Sequence, residues 1–243
     1  MSALWRIIGV AYWQFLQWRR QWTWLAQSLV GLFGFSVLLF AWGGVAGLKH
    51  AIVASMVAGS WGIGLNIVGQ MIGWQKVEKQ YEFYVASPLS LTEYYLGVVL
   101  GQLPFFIVEV LSPAVIALLL GVKYEALPAL TLVVLLALLL GSFSSLTIVL
   151  RIKNPMNISA VTNPLYTLTA TLPPVFYPMT VLPQPLRPLA LIFPTVPLAE
   201  LARWATGTAE TCLQPSTALA LTAFWLALST IALRGVLKWG LEE

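Results

Sequence analysis

The sequence predicts an all-α integral membrane protein with six transmembrane helices. An amphipathic interfacial helix precedes them, and a broken, re-entrant outer segment follows the fifth. Three observations predict this. Of 243 residues, 59% are hydrophobic and 9% charged, whereas soluble domains run near 45–50% apolar and about 25% charged. Six apolar stretches reach the roughly 20 residues that a bilayer core of about 30 Å requires. Apart from Arg234 and Lys238 at the end of the last stretch, the Lys and Arg residues fall in the connections between these stretches and in the segments that flank them.

Residues 1–22 are too polar for a signal peptide, because Gln14, Gln17, Arg19 and Arg20 interrupt any apolar run. On a helical wheel Leu4, Ile8, Ala11, Phe15, Trp18 and Trp22 share one face, and Arg6, Gln14, Gln17 and Arg20 the other. That pattern predicts a helix lying in the membrane interface. Residues 23–243 form one membrane domain, with spans expected at 23–46, 51–74, 94–122, 127–150, 158–182 and 216–238. The fifth contains Asn163-Pro164, Pro173-Pro174 and Pro178, each Pro removing a backbone donor. The stretch from Leu189 to Trp204, with Pro194 and Pro197, is too short and too interrupted to cross again. It predicts short helices dipping into the outer leaflet.

Orientation follows the Lys/Arg distribution. With both termini inside, Arg6, Arg19, Arg20, Lys76, Lys79, Arg151, Lys153, Arg234 and Lys238 are cytoplasmic, and Lys49, Lys123, Arg187 and Arg203 are outside. The thirteen basic residues exceed the nine acids by four. Because they are scattered, they favour membrane topology over nucleic-acid binding.

Composition excludes much chemistry. All nine acids are Glu, so a triad or a Walker B motif built on Asp is absent. One cysteine, Cys212, and one histidine, His50, cannot build an internal disulfide or a His-based metal cluster. No G-x-x-x-x-G-K-[ST] occurs, so any ATP used must be hydrolysed by another chain. This chain is therefore expected to bind no cofactor of its own and to be no enzyme.

Polar residues inside apolar spans are the candidate transport-path residues: Asn66, Gln70, Gln102, Glu109 and Asn163. Glu109 is the one acid deep in a predicted span, so it must be protonated, face water or meet a polar neighbour. Functional and structural roles are equally open for it. Gly43/Gly47, Gly69/Gly73 and Gly97/Gly101 are small-xxx-small pairs suited to close helix packing.

The connection 75–92 combines Lys76, Glu78, Lys79, Tyr81, Glu82 and Phe83 with Tyr84. Helical spacing puts Glu78, Tyr81 and Glu82 on one side. Tyr81, Phe83 and Tyr84 are expected to face headgroups or a partner. Ser87-Pro88 ends the helix, and Ser90-x-x-Glu93 is a capping box opening the next one. A charged, aromatic helix on the cytoplasmic side suits docking to a cytosolic protein.

This connection resembles the signature region of type-2 ABC transporter permeases, the membrane subunits of ABC exporters: Glu78, Glu82, Ser87-Pro88, Thr92-Glu93 and Gly97 follow the family order. Phe176-Tyr177-Pro178, Pro183, Phe193-Pro194-Thr195 and Arg203 resemble its C-terminal pattern. Gln80-Tyr81 replaces the family's Gly-Thr, and Phe193-Pro194 its outer Asn-Pro. The resemblance implies a permease in the cell membrane that pairs with a second permease copy, identical or similar. A separate P-loop ATPase would bind ATP and Mg and dock on Lys76, Glu78, Lys79, Tyr81, Glu82, Phe83, Ser87 and Pro88. Export is the implied direction. The rival reading is an ATP-independent secondary transporter or channel, which predicts paired intramembrane charges or an inverted repeat.

Overall fold

Inside hydrocarbon every backbone N–H and C=O must be satisfied within its own segment, so apolar runs of this length wind into helices. The computed structural model describes residues 2–20 and 22–240, and among these there is no strand. Met1 and Gln21 of the expected interfacial helix, and 241–243 of the membrane domain, lie outside the described residues.

The elements are α1 (Ala3–Arg20), α2 (Trp22–Gly62), a π-helical turn at Ile63–Val68, α3 (Gly69–Val77), α4 (Gln80–Ala86) and α5 (Leu91–Gly101). Then come α6 (Leu103–Phe106), a π turn at Ile107–Leu111, α7 (Ser112–Leu119), α8 (Leu127–Val149) and α9 (Met156–Tyr166). A third π turn at Thr167–Thr171 precedes α10 (Arg187–Ala190), α11 (Thr195–Thr206) and α12 (Pro215–Arg234). Among the described residues three helices are long and apolar enough to cross a membrane: Trp22–Val77, Tyr124–Val149 and Pro215–Arg234. A fourth crossing results if Leu91–Gly101 and Leu103–Leu119, bent by 49°, act as one.

The first of these is divided by Gly44, whose φ of 56° and ψ of −144° reverse the chain. Glycine tolerates that conformation because it has no Cβ. The arms 22–43 and 45–62 lie side by side: Ser28 and Gly59 both meet Glu109, and Phe35 and Ser55 share one cavity wall. The second arm is the centre of the molecule, almost continuously buried from His50 to Gly62. Glycines of α8 and α3 bring this arm and its continuation through α3 against α8 at close distance. A Cβ on Gly141 would stand 2.5 Å from the Trp61 carbonyl oxygen, and one on Gly73 3.0 Å from Val149 Cβ. Gly69 faces Ser145, whose hydroxyl donates to the Leu65 carbonyl at 2.7 Å.

The expected spans differ from the helices at three places. The stretch 94–122 is bent after Gly101, where Gln102 and Pro104 interrupt the ladder. The stretch 158–182 is continuously helical only to Thr171; Pro164 is accommodated just before the π turn, Pro173-Pro174 stops the helix, and one 3-10 turn follows at Met179–Val181. The segment Leu189–Trp204 forms two short helices, yet Thr195–Arg203 of α11 is buried against α2, α8 and α12.

α8 runs about 34 Å at 1.5 Å per residue and defines two ends. At its C-terminal end Lys76 donates to the Leu150 carbonyl at 3.0 Å, Trp74 to that of Pro155 at 3.3 Å, and Tyr81 to that of Lys238 at 3.1 Å. At the other end Gly121 adjoins Lys49, and Arg203 adjoins 174–177.

Candidate functional site

The 22–62 hairpin, α3, α6, α9 and the three π turns enclose a cavity of about 410 Å³. Asn66, Gln70, Glu109 and Asn163 all line it, so four of the five polar candidates converge on one space. Gln102 does not line it. That side chain is fully buried at the α5–α6 break, donating back to the Val98 carbonyl at 2.9 Å.

Gln70 is committed to holding α3 against α9: its Nε2 donates to Thr162 Oγ1 at 2.5 Å and Asn163 Oδ1 at 3.2 Å, and its Oε1 accepts from Ser159 at 3.2 Å. Asn66 is less satisfied, with no partner for Oδ1. Glu109 sits in the π turn Ile107–Leu111 and meets the Ser28 hydroxyl. Gly59 lets it approach closely, since a Cβ there would lie 2.8 Å from Glu109 Cβ. One turn along, Gly62 lies beneath the Tyr166 ring, 3.0 Å from where its Cβ would stand. Six further rings line the wall, Trp18, Trp24, Trp74 and Phe105 beside the stacked pair Phe35–Phe176, whose centroids are 4.2 Å apart, among smaller polar and aliphatic side chains such as Gln27, Leu32 and Ser55. Asn66, Glu109 and Thr167 each come from a different π turn, a form of helix found often at functional sites.

The second candidate is the connection 75–92. Its helix is interrupted: α3 ends at Val77, Lys79 adopts φ 60°, and α4 restarts at Gln80. Glu78, Lys79, Glu82 and Phe83 are exposed, Phe83 at 79%. Tyr81 is not: it is 7% exposed, edge-on to Tyr94 and Trp239 at 5.7 and 5.2 Å. The expected exposed grouping of Glu78, Tyr81 and Glu82 is therefore corrected. A phenol with two aromatic neighbours and a carbonyl acceptor is better placed inside than in water. Tyr84 packs on Tyr94 at 4.9 Å, and burial pushes its phenol pKa up. Lys76 is half-buried on α8. Ser87 closes α4 by donating to the Tyr84 carbonyl at 2.6 Å, and Pro88 is exposed.

Past this loop the capping box forms, with Ser90 N–H donating to Glu93 at 2.8 Å and Glu93 N–H to Ser90 Oγ at 3.3 Å. Glu93 also accepts from Arg6 at 2.5 Å, fixing α1 on α5. From there α1 follows α5: Gly97 faces Val10, Gly101 faces Gln14, and Trp18 meets Phe105 edge-on at 4.7 Å. Gln14, expected on the polar face, is fully buried, and Leu4, Ile8 and Phe15 are exposed. The two glycines admit close approach only along the Val10–Gln14 row, which decides the face.

Sequence reasoning missed one group. Arg203, 2% exposed, pairs with Glu200 at 2.7 Å and donates to the carbonyls of Pro174, Val175 and Tyr177 at 2.7–2.9 Å. Glu200 also accepts the N–H groups of Cys212 and Leu213 at 2.6 and 3.1 Å. Its signal was a Glu and an Arg three residues apart within an apolar stretch.

Comparison with known proteins finds no match among curated ones. Residues 43–233 do match the ABC-2 family transporter protein family, a match that takes in the hairpin turn, the cavity wall from Ser55 onward, the 75–92 connection and nearly all of α12. With well over half its length matched, this chain is a multi-pass membrane protein that belongs to the ABC-2 family of transporter proteins.

Proposed function

We propose that this chain is the membrane-spanning permease subunit of an ATP-driven exporter in the cell membrane. It would work as a pair of permease copies, each carried by a separate cytosolic P-loop ATPase. In this reading the Gly44 hairpin supplies two crossings, the bent α5–α7 unit, α8, α9 and α12 four more, and both termini are cytoplasmic. Family membership supports a permease rather than an ATPase.

The observation that carries the reading is the exposed face of α4 and the turn before it. Glu78, Lys79, Glu82 and Phe83 stand together at the end where Lys76, the residues before Pro155 and Lys238 gather. Charged residues around an exposed aromatic are what a docking surface offers. This face joins the central arm to α5, so a push from a docked ATPase reaches the cavity through both.

The test is co-expression with a P-loop ATPase, purification, and measurement of complex recovery and substrate-stimulated ATP hydrolysis. Glu82→Lys and Phe83→Ala should each lower both several-fold, and Lys123→Ala at the opposite end should change neither. Wild-type coupling in both loop variants overturns the docking surface.

A further inference from the structure

The cavity sets one carboxylate in a wall of aromatic rings. Among the described residues Glu109 is the single acid lining it and forms no ion pair, and no Lys or Arg lines the cavity either. Trp24, Phe35, Trp74, Tyr166 and Phe176 border the same space. Ring faces carry negative quadrupole potential and attract cations within about 6 Å. A carboxyl group with no basic neighbour acts in the same direction when ionised, and an anion is opposed by both. About 410 Å³ lies within the roughly 300–1,000 Å³ of drug-sized sites and leaves no room for a diacyl lipid.

We propose that this cavity binds compact lipophilic organic cations, with Glu109 as counter-ion and the rings as the surrounding wall. The proposal rests on the permease reading for its biological meaning, to which it adds a substrate class. Gly59 is part of the arrangement, because any side chain there would displace the Glu109 side chain from its present position.

The test is equilibrium dialysis of the purified full-length chain in detergent with radiolabelled tetraphenylphosphonium. Tetraphenylborate, of the same shape and opposite charge, is dialysed in parallel. Tetraphenylphosphonium should bind saturably and at least tenfold more tightly than tetraphenylborate. Glu109→Gln should weaken it tenfold or more, Glu109→Asp should keep the preference for the cation, and Glu125→Gln, outside the cavity, should match wild type. Should Glu109→Gln fail to fold, Phe35→Leu keeps the acid, removes one ring and should weaken the cation several-fold. Equal affinity for the two ions, or wild-type affinity in Glu109→Gln or Phe35→Leu, overturns the proposal. Dialysis needs neither ATP nor a partner. A complex that fails to transport while the Glu109-dependent binding persists counts against the permease reading and for the cation site.

Discussion

Arg6 and Glu93 close the first rung of a ladder in which every fourth α1 residue, from Arg6 to Trp18, meets the residue 87 positions later. Gly97 faces Val10, Gly101 faces Gln14, and Phe105 meets Trp18. Glu93 holds the start of α5 and the start of α1 at once, and Trp18 at the far end borders the cavity. One helix thus connects the end of the 75–92 connection to the cavity wall.

Removing either member of that pair should release α1 to different degrees. Arg6→Ala loses the ion pair with Glu93 and leaves the capping box in place, while Glu93→Ala loses both. Limited proteolysis of the N-terminal helix should therefore be faster in Glu93→Ala than in Arg6→Ala, and faster in both than in wild type. Equal rates in all three would mean that the glycine seam alone holds α1.

Tyr81 and Phe83 should separate stability from docking. Truncating buried Tyr81 removes an aromatic from between Tyr94 and Trp239, so Tyr81→Ala should cost about 3–5 kcal/mol in thermal or denaturant unfolding. Phe83→Ala, at an exposed position, should leave stability within about 0.5 kcal/mol of wild type.

Breaking the Glu200–Arg203 pair from one side strands a buried charge. Arg203→Leu should destabilise by about 3–5 kcal/mol, with three carbonyls of the 174–177 turn also left bare. Arg203→Lys should not restore stability, because one ammonium cannot reach both the carboxylate and the carbonyls in Arg's forked geometry. Differential scanning fluorimetry of the purified variants checks both.

The seam between the central arm and α8 leaves no space for a methyl group. Gly141→Ala should cost about 1–3 kcal/mol, since the added Cβ meets backbone rather than a movable side chain. Gly31→Ala, with nothing within 4 Å, should be neutral by the same measurement.

Local signals were legible from the residues. The α8 stretch, expected at 127–150, is Leu127–Val149, and the Ser90–Glu93 capping box formed as its spacing implied. Each depends on neighbours within a few residues. What was not legible depends on segments far apart in the chain. Tyr81 is buried by Trp239, more than 150 residues away, and Gln14 by the glycines of α5. Arg203 looked like an outer surface charge because the three carbonyls it meets are exposed by a proline-induced turn, invisible until the chain folds back. Asn66, Gln70, Glu109 and Asn163 could be nominated singly, but periodicity within one helix says nothing of which helices share a space.

The three π turns have a mechanical consequence. An α-helix advances about 100° per residue, so one extra residue in a turn sets the helix beyond it out of phase by about that angle. Ile63–Val68 offers Leu65 to the α8 seam and Asn66 and Ile67 to the cavity. Moving such a wide turn along by one residue exchanges one i→i+5 hydrogen bond for an i→i+4 bond. The side chain it passes swings by about 100° while the helix keeps its place among its neighbours. The cavity wall is thus built from segments that can rotate without sliding.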